Sequence, residues 1–443
     1  MQRYQNYAEG KWFNGEGVET SLYNTISGEK IGEVSSIGLD YKAMMEYAVK
    51  NGGYALRKMT FQERGRMLKA LALHLMELKS KYYQVSAWTG ATKVDSWIDI
   101  EGGIGNLFAN ASLRKQFPDL PYYVDGVAAP LSKEGTFIGH HIMVPKEGVA
   151  IHINAFNFPI WGMLEKIAVN LMAGVPAIVK PSEHTSYLTE VMVKDIIASN
   201  ILPEGSLQLV AGLGRGIIDH VDSQDIVTFT GSAFTGRKLK SLPQFTERSV
   251  PFNLEADSLN AAILGKNATP GTAEFDLFIK EVTREITVKA GQKCTAVRRI
   301  IVPEDFIDEV QAGIAKRLAS TTIGDPSIEG VRMGSLAVMS QVDRLKESVN
   351  ALSKSQEIVY GDMDNFTVSG ADKNKGAFFS PILFRNNDPY KNTDVHDIEA
   401  FGPVSTIMPY KETEDAIQLA KMGKGSLVSS IVTPNDKEAT EFV

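Results

Sequence analysis

Between residues 148 and 240 the chain alternates short apolar runs with runs of helix length, and this alternation constrains the fold more than any other feature. Gly148-Val149-Ala150-Ile151-His152-Ile153 reads as a buried strand and Ile160 to Ala173 as a helix. Pro176 to Lys180 reads as a second strand and Thr185 to Ser199 as a helix. Leu207 to Val210 and Ile226 to Phe229 read as a third and a fourth strand, with a further helix from about Ala233. Strands and helices in this order make βαβ units on a parallel sheet, so the expected class is α/β. Such open sheets take ligands beyond the carboxyl ends of their strands.

Outside that segment the pattern changes. Residues 39–112 read mainly as helix, and Thr60 with Glu63 makes a capping box. Apolar residues then recur at helical spacing from Met67 to Leu78. Residues 121–147 read as an extended hairpin or meander, a candidate projecting arm. A second α/β pattern starts near 251, with strands at 261–264 and 299–302 and a helix from Phe306 to Leu318, so a domain boundary is expected near 250. From Asp436 the sequence reads as the first turns of a helix still running at Val443, so an incomplete chain is expected.

A length of 443 residues is enough for two or more domains. The net charge of −7, from 46 basic and 53 acidic residues, argues against a nucleic-acid surface. No apolar stretch approaches the roughly 20 residues of a membrane span, and the N-terminus lacks an apolar signal core. The single cysteine excludes an intrachain disulfide and any two-cysteine metal motif, so no metal is expected. It also fits a reducing, cytoplasmic setting.

That cysteine lies in Gly291-Gln292-Lys293-Cys294-Thr295, after the amphipathic run Phe275 to Ala290. Gly291 reads as a helix cap, which puts Cys294 in a loop at a helix end. Nucleophiles tend to sit there, although a lone cysteine is more often a small buried apolar group. Asn157-Phe158-Pro159 follows the first strand; its amide can donate to a developing oxyanion or can simply cap the next helix. Lys180-Pro181-Ser182-Glu183 ends the second strand, where Lys180 and Glu183 can bind ribose or form a solvated turn. Phe229-Thr230-Gly231-Ser232 ends a strand and opens a helix, which favours a pyrophosphate; a plain loop is the other reading. Glu255, at the end of Val250 to Leu254, can be a general base with a raised pKa or a surface acid. Glu399-Ala400-Phe401-Gly402-Pro403-Val404 reads by itself as a Gly-Pro turn.

Taken in order, Asn-Phe-Pro, Lys-Pro-Ser-Glu, Phe-Thr-Gly-Ser, a strand-end Glu, Gly-Gln-x-Cys and Glu-x-Phe-Gly-Pro-Val resemble the aldehyde dehydrogenase superfamily over nearly the whole chain. His152 to Pro159, Glu255 to Asn260, Lys289 to Ala296, Thr89 to Thr92 and Asp95 to Gly103 resemble its PaaZ-like branch more closely. These are the dehydrogenase halves of bifunctional phenylacetate-degradation proteins. Two departures from the wider superfamily, Ala155-Phe156 for Pro-Trp and Asp257-Ser258 for Gly-Gly, are shared with that branch.

The resemblance implies an aldehyde dehydrogenase fold with three parts. Residues 1–120 and 148–250 would form a Rossmann-like dinucleotide-binding domain, 121–147 a β-hairpin oligomerisation arm, and 251–443 an α/β catalytic domain. It implies Cys294 as nucleophile, with Asn157 and the Cys294 N–H holding the oxyanion, and Glu255 as the base that activates water. It implies that Lys180, Ser182, Glu183, Gly231, Ser232, Ala155, Phe156, Ala256, Glu399 and Phe401 hold the dinucleotide. The branch implies NADP, whereas a carboxylate at Glu183 beside the ribose favours NAD. The implied substrate is a CoA-linked aldehyde, 3-oxo-5,6-dehydrosuberyl-CoA semialdehyde, oxidised to the acid. The implied assembly is a homo-oligomer built from dimers, the arm pairing with a C-terminal strand beyond Val443. A CoA-acylating enzyme would not need Glu255. A general NAD-dependent aldehyde dehydrogenase with a simpler substrate, and a non-enzymatic protein on the same scaffold, stay open.

Overall fold

The four strands read after residue 148 lie at the centre of a seven-stranded sheet in the computed structural model, which describes residues 2–443. Ala150–Ile153, Ala177–Lys180, Leu207–Leu209 and Ile226–Gly231 are joined by three parallel pairings. Helices Pro159–Met172 and Ser186–Ala198 connect the first three, and Ile151, Ile178, Val179 and Leu209 are fully buried. Cover on both faces explains why the strands read as unbroken apolar runs. From 150–153 the chain steps outward through 177–180 and 207–209, then returns to pair 226–231 on the other side. The strand order therefore reverses between 150–153 and 226–231. In open α/β sheets the crevice at that reversal, outside the carboxyl ends, is the ligand position.

Phe252–Ala256 extends this sheet beyond 226–231. At the other side Asn6–Ala8 pairs antiparallel with 207–209 and Lys11–Phe13 with Asn6–Ala8. A separate sheet joins Arg3–Tyr4, Lys30–Val34 and Thr20–Tyr23. These N-terminal strands are too short to show a period. Contacts far along the chain hold them, such as Gln5 N to Glu190 Oε1 at 2.9 Å and Asn6 Nδ2 to Ser35 O at 2.8 Å. Thr60 and Glu63 form the capping box of the helix Phe61–Glu77. The sheet and these helices belong to one compact unit, Met1–Leu22, Lys30–Val85 and Ser96–Glu255.

The same unit carries a two-stranded antiparallel hairpin, Tyr123–Pro130 with Ile138–Met143, with a register shift between Asp125 and Ala129. Its apolar side chains meet water: Val127 is 90% exposed, and Phe137, Ile142 and Met143 are exposed as well.

The second unit comprises Tyr23–Glu29, Ser86–Asp95 and Ala256–Val443. Its six-stranded sheet runs in the order Glu357–Tyr360, Ile382–Arg385, Val404–Tyr410, Val297–Pro303, Asn260–Leu264, Ser429–Val432. Only the first pairing is antiparallel. Phe278, Val282 and Ile286 of the helix Ala273–Thr287 pack on Ile300 and Val302 of the sheet. The two short N-terminal segments join this unit through Thr25, which a boundary drawn near 250 does not anticipate. Thr25 N donates to Trp88 O, Thr25 O accepts from Ala377 N, and its hydroxyl meets Ser335 Oγ at 2.9 Å. Among the described residues no helix is long and apolar enough to cross a membrane.

Candidate active site

In the first unit the residues singled out by sequence gather at the carboxyl ends of the sheet strands. Strand 150–153 runs into Asn154–Phe158, and the helix begins at Pro159 with Phe158 as its N-cap. Phe158 has no side-chain oxygen, and the capping acceptor comes from elsewhere. Asp99 Oδ1 accepts from Ile160 N at 3.0 Å and Trp161 N at 2.7 Å. The approach needs glycine: a Cβ on Gly102 would sit 2.4 Å from the Trp161 ring. Asn157 therefore precedes the cap and does not serve as it; its side chain is buried, with Ala155 and Phe156 half-buried beside it. Asn154, two residues before Phe156, is buried with neither amide atom hydrogen-bonded to protein.

Lys180 is the last residue of its strand and is buried, which excludes a solvated turn. Its Nζ lies 3.0 Å from Glu183 Oε2, and His184 Nε2 is 3.6 Å from the other oxygen. Burial pushes the Glu183 carboxyl up, but the Lys180 charge and hydrogen bonding outweigh it and hold the group below its ordinary value. Ser182, between them in sequence, is buried. Gly214 covers the lysine stem, since a Cβ there would meet Lys180 Cγ at 3.0 Å. Gly231 ends the strand 226–231, and Ser232 caps the helix Ala233–Lys240 by accepting from Thr235 N at 3.3 Å. Glu255 lies within the strand 252–256, half-buried, and Thr230 Oγ1 donates to its Oε2 over 3.4 Å.

In the second unit Cys294 sits in a turn and is partly exposed, so it is not a core thiol. The helix before it stops at Thr287, earlier than the run to Ala290 suggests. Lys289, Ala290 and Gly291 all take left-handed backbone, with φ of 54°, 49° and 67°. Gln292 Oε1 accepts from Ala337 N at 2.8 Å. Arg298, buried, donates to Gly291 O at 2.8 Å, Gly402 O at 2.6 Å and Lys293 O at 3.4 Å. Its Nε is 3.8 Å from Glu399 Oε1, and its guanidinium lies 5.6 Å from the centre of the Phe401 ring. One buried cation thus ties the Cys294 turn to the 399–402 turn. Burial lowers the Arg298 pKa, opposed by the charges of Glu399, Glu285 and Cys294.

Glu399 is largely buried, and its Oε1 accepts no hydrogen bond from protein. Burial raises its pKa to about 7; Arg298 pulls it back and Asp257 pushes it further up. A buried carboxylate oxygen left without a donor is fitted to take one from a ligand. Ala256 is half-buried at the end of its strand. Arg298 and Asp99 carry this geometry and were not singled out for a role by sequence. Asp99 did lie in a segment whose wording was distinctive.

The sequence profile described as the aldehyde dehydrogenase family matches residues 12–443. The chain belongs to the aldehyde dehydrogenase family. It is an aldehyde oxidoreductase with that family's α/β fold. A 3,4-dehydroadipyl-CoA semialdehyde dehydrogenase from Aromatoleum evansii is 40% identical over 427 residues, covering 96% of this chain and 83% of the relative. Among solved structures, an aldehyde dehydrogenase from Bacillus cereus superposes with a TM-score of 0.83 at 22% identity, covering 99% of this chain and 87% of the other. PnpE, solved in complex with nicotinamide adenine dinucleotide, superposes with a TM-score of 0.85 at 21% identity, covering 100% and 87%.

Proposed function

We propose that this aldehyde dehydrogenase oxidises a CoA-linked semialdehyde from ring cleavage to its acid, with Cys294 as nucleophile. The observation that carries the reading is the setting of Cys294: the only thiol of the chain, partly exposed, in a turn braced by buried polar side chains. A thiolate here attacks the aldehyde carbon, and the carbonyl oxygen becomes an oxyanion in a thiohemiacetal. The Asn157 amide and the Cys294 N–H are the donors for that oxygen. A bound nicotinamide would supply the acceptor for the hydride lost from the thiohemiacetal carbon, which leaves a thioester on Cys294. Glu255 then takes a proton from water, which adds to the thioester carbon and releases the acid and the Cys294 thiol.

The dinucleotide is assigned to Lys180, Ser182, Glu183, Gly231, Ser232, Ala155, Phe156, Ala256, Glu399 and Phe401. The undonated Glu399 oxygen and the Lys180–Glu183 pair fit ribose hydroxyls. Our reading keeps NADP, since the Lys180 ammonium is the charge a 2′-phosphate requires. Glu183 would then have to turn away; a pair that stays closed selects NAD. The name of the Aromatoleum evansii relative supports a CoA-linked semialdehyde as substrate class, and within that class 3-oxo-5,6-dehydrosuberyl-CoA semialdehyde is the substrate we propose. The exposed apolar hairpin at 123–143 supports pairing between copies, hence a homo-oligomer built from dimers.

The test is turnover of CoA-linked semialdehydes against simple aldehydes, each with NAD and NADP. A kcat/KM favouring the CoA-linked substrates is expected. Equal rates with simple aldehydes would leave a general aldehyde dehydrogenase, and undiminished turnover by Cys294→Ala would end the mechanism.

A further inference from the structure

The segment from Thr89 to Asp95 is distinctive in sequence, and the proposed chemistry leaves it without a task. It packs in the second unit against the turn that leads to Cys294. Asp95 Oδ1 accepts from the Lys289 backbone N–H at 2.7 Å. The Lys289 ammonium donates to Thr89 Oγ1 at 2.7 Å, and that hydroxyl donates to Ser86 O at 2.7 Å. Asp95 Oδ2 accepts from both the backbone and the hydroxyl of Thr92, each at 2.8 Å. Thr89, Asp95 and Lys289 are all buried, at 1%, 3% and 4% exposure. Close approach fixes the segment from the other side, where a Cβ on Gly90 would lie 2.3 Å from Ser335 Oγ.

These bonds converge on a strained piece of backbone. Lys289 and Ala290 carry side chains yet hold left-handed φ and ψ, and Gly291 continues the same hand. Residues other than glycine keep that conformation only where their surroundings impose it. Asp95 captures the amide at the first left-handed residue, and Thr89 captures the end of the same residue's side chain. The buried Lys289 is thus held at both its backbone and its side-chain end, five residues before Cys294. We propose that Thr89, Asp95 and Lys289 form a clamp that aims the Cys294 turn. They are positioning residues, acting on the nucleophile through the backbone from 289 to 291.

The proposal rests on Cys294 being the nucleophile, but its test need not. Because Cys294 is the only thiol, its alkylation by iodoacetamide reports the turn without turnover. Lys289→Met and Thr89→Val are expected to lower kcat by about ten- to a hundredfold, with the dinucleotide KM near wild type, since small misplacements of a reacting group have effects of that size. The alkylation rate should shift by a comparable factor. Asp95→Asn sets an amide donor against the Thr92 N–H and should move both rates in the same sense. Thr89→Ser keeps the hydroxyl and should restore wild-type values. Wild-type kcat and alkylation in Lys289→Met would overturn the clamp, as would equal losses in Thr89→Ser and Thr89→Val. If Lys289→Met does not fold, the two Thr89 variants decide. Turnover by Cys294→Ala would remove the nucleophile reading alone, leaving the alkylation rates to judge the clamp.

Discussion

Asn260 donates its side-chain amide to the backbone carbonyl of Cys294 at 2.8 Å. The same nitrogen reaches Ala296 O at 3.0 Å, while Oδ1 accepts from Ser258 Oγ at 2.6 Å and from Val428 N at 3.0 Å. On the other side of the Cys294 Cα, Arg298 donates to Lys293 O at 3.4 Å. The peptide planes before and after the cysteine are therefore both held by buried side chains. The backbone that carries the thiol is thus fixed on both sides of its Cα.

Asn260→Asp tests this bracing. An ionised aspartate keeps the shape but cannot donate, and it faces two carbonyl oxygens. Leaving such buried groups unsatisfied costs about 1–3 kcal/mol of stability, and kcat should fall with it. Chemical denaturation and steady-state kinetics read the two effects. Wild-type values for both would show that the Cys294 carbonyl needs no partner.

Glu255 is proposed to act only after hydride transfer. Glu255→Gln should then give a burst of reduced cofactor of about one equivalent per active site, followed by slow hydrolysis. If Glu255 also deprotonates Cys294, the burst disappears. Stopped-flow absorbance separates these outcomes, and unchanged steady-state rates would exclude any role for it.

Much of this fold was legible because its strands are buried on both faces and so appear as apolar runs between helices. The capping box at Thr60 and Glu63 was legible for a similar reason: both partners lie within one helical turn. The end of the helix before Cys294 was not. Gly291 suggested a cap after Ala290, but Asp95 takes the Lys289 amide and the helix stops at Thr287. A partner so far along the chain leaves no local signal. The same holds for Asp99, which caps the helix at Pro159 from another element, and for Arg298, whose acceptors at Gly402 and Gly291 meet only in the fold. The candidate residues could be named from local wording, whereas their supports could not.

His152 gives the protein an acid-sensitive point. Its ring lies between Thr228 Oγ1 and Asn170 Oδ1, each at 2.8 Å, inside the sheet. Burial lowers its pKa to about 4, with the Asn170 bond opposing and the Lys166 charge adding. The unfolded chain therefore binds this proton more readily, and stability is lost as pH falls from the ordinary value of 6.5 toward about 4. The effect should amount to roughly 1–3 kcal/mol. His396, lowered to about 4 by burial and by Arg299, acts in the same direction. His152→Gln should remove only its own share of the acid loss. Denaturation at several pH values measures this, and an unchanged slope in the variant would refute it.

Glu399 has the opposite displacement, and it faces a proposed ligand. Burial raises its carboxyl to about 7 despite Arg298 nearby, so much of it is protonated in neutral solution. Folded protein thus holds this proton more tightly than unfolded chain does. Its contribution to stability is greatest at low pH and declines as pH rises from the ordinary 4.5 to about 7. Ligand binding should run the other way. Only the carboxylate offers ribose hydroxyls a full acceptor, so dinucleotide affinity should rise with pH through about 7 and level off above it. Glu399→Gln cannot ionise and should bind more weakly, with no such rise. Fluorescence titration of the dinucleotide across this range gives the dissociation constants. The same pH slope in the variant as in the wild type would assign the dependence to another group and remove Glu399 from the cofactor site.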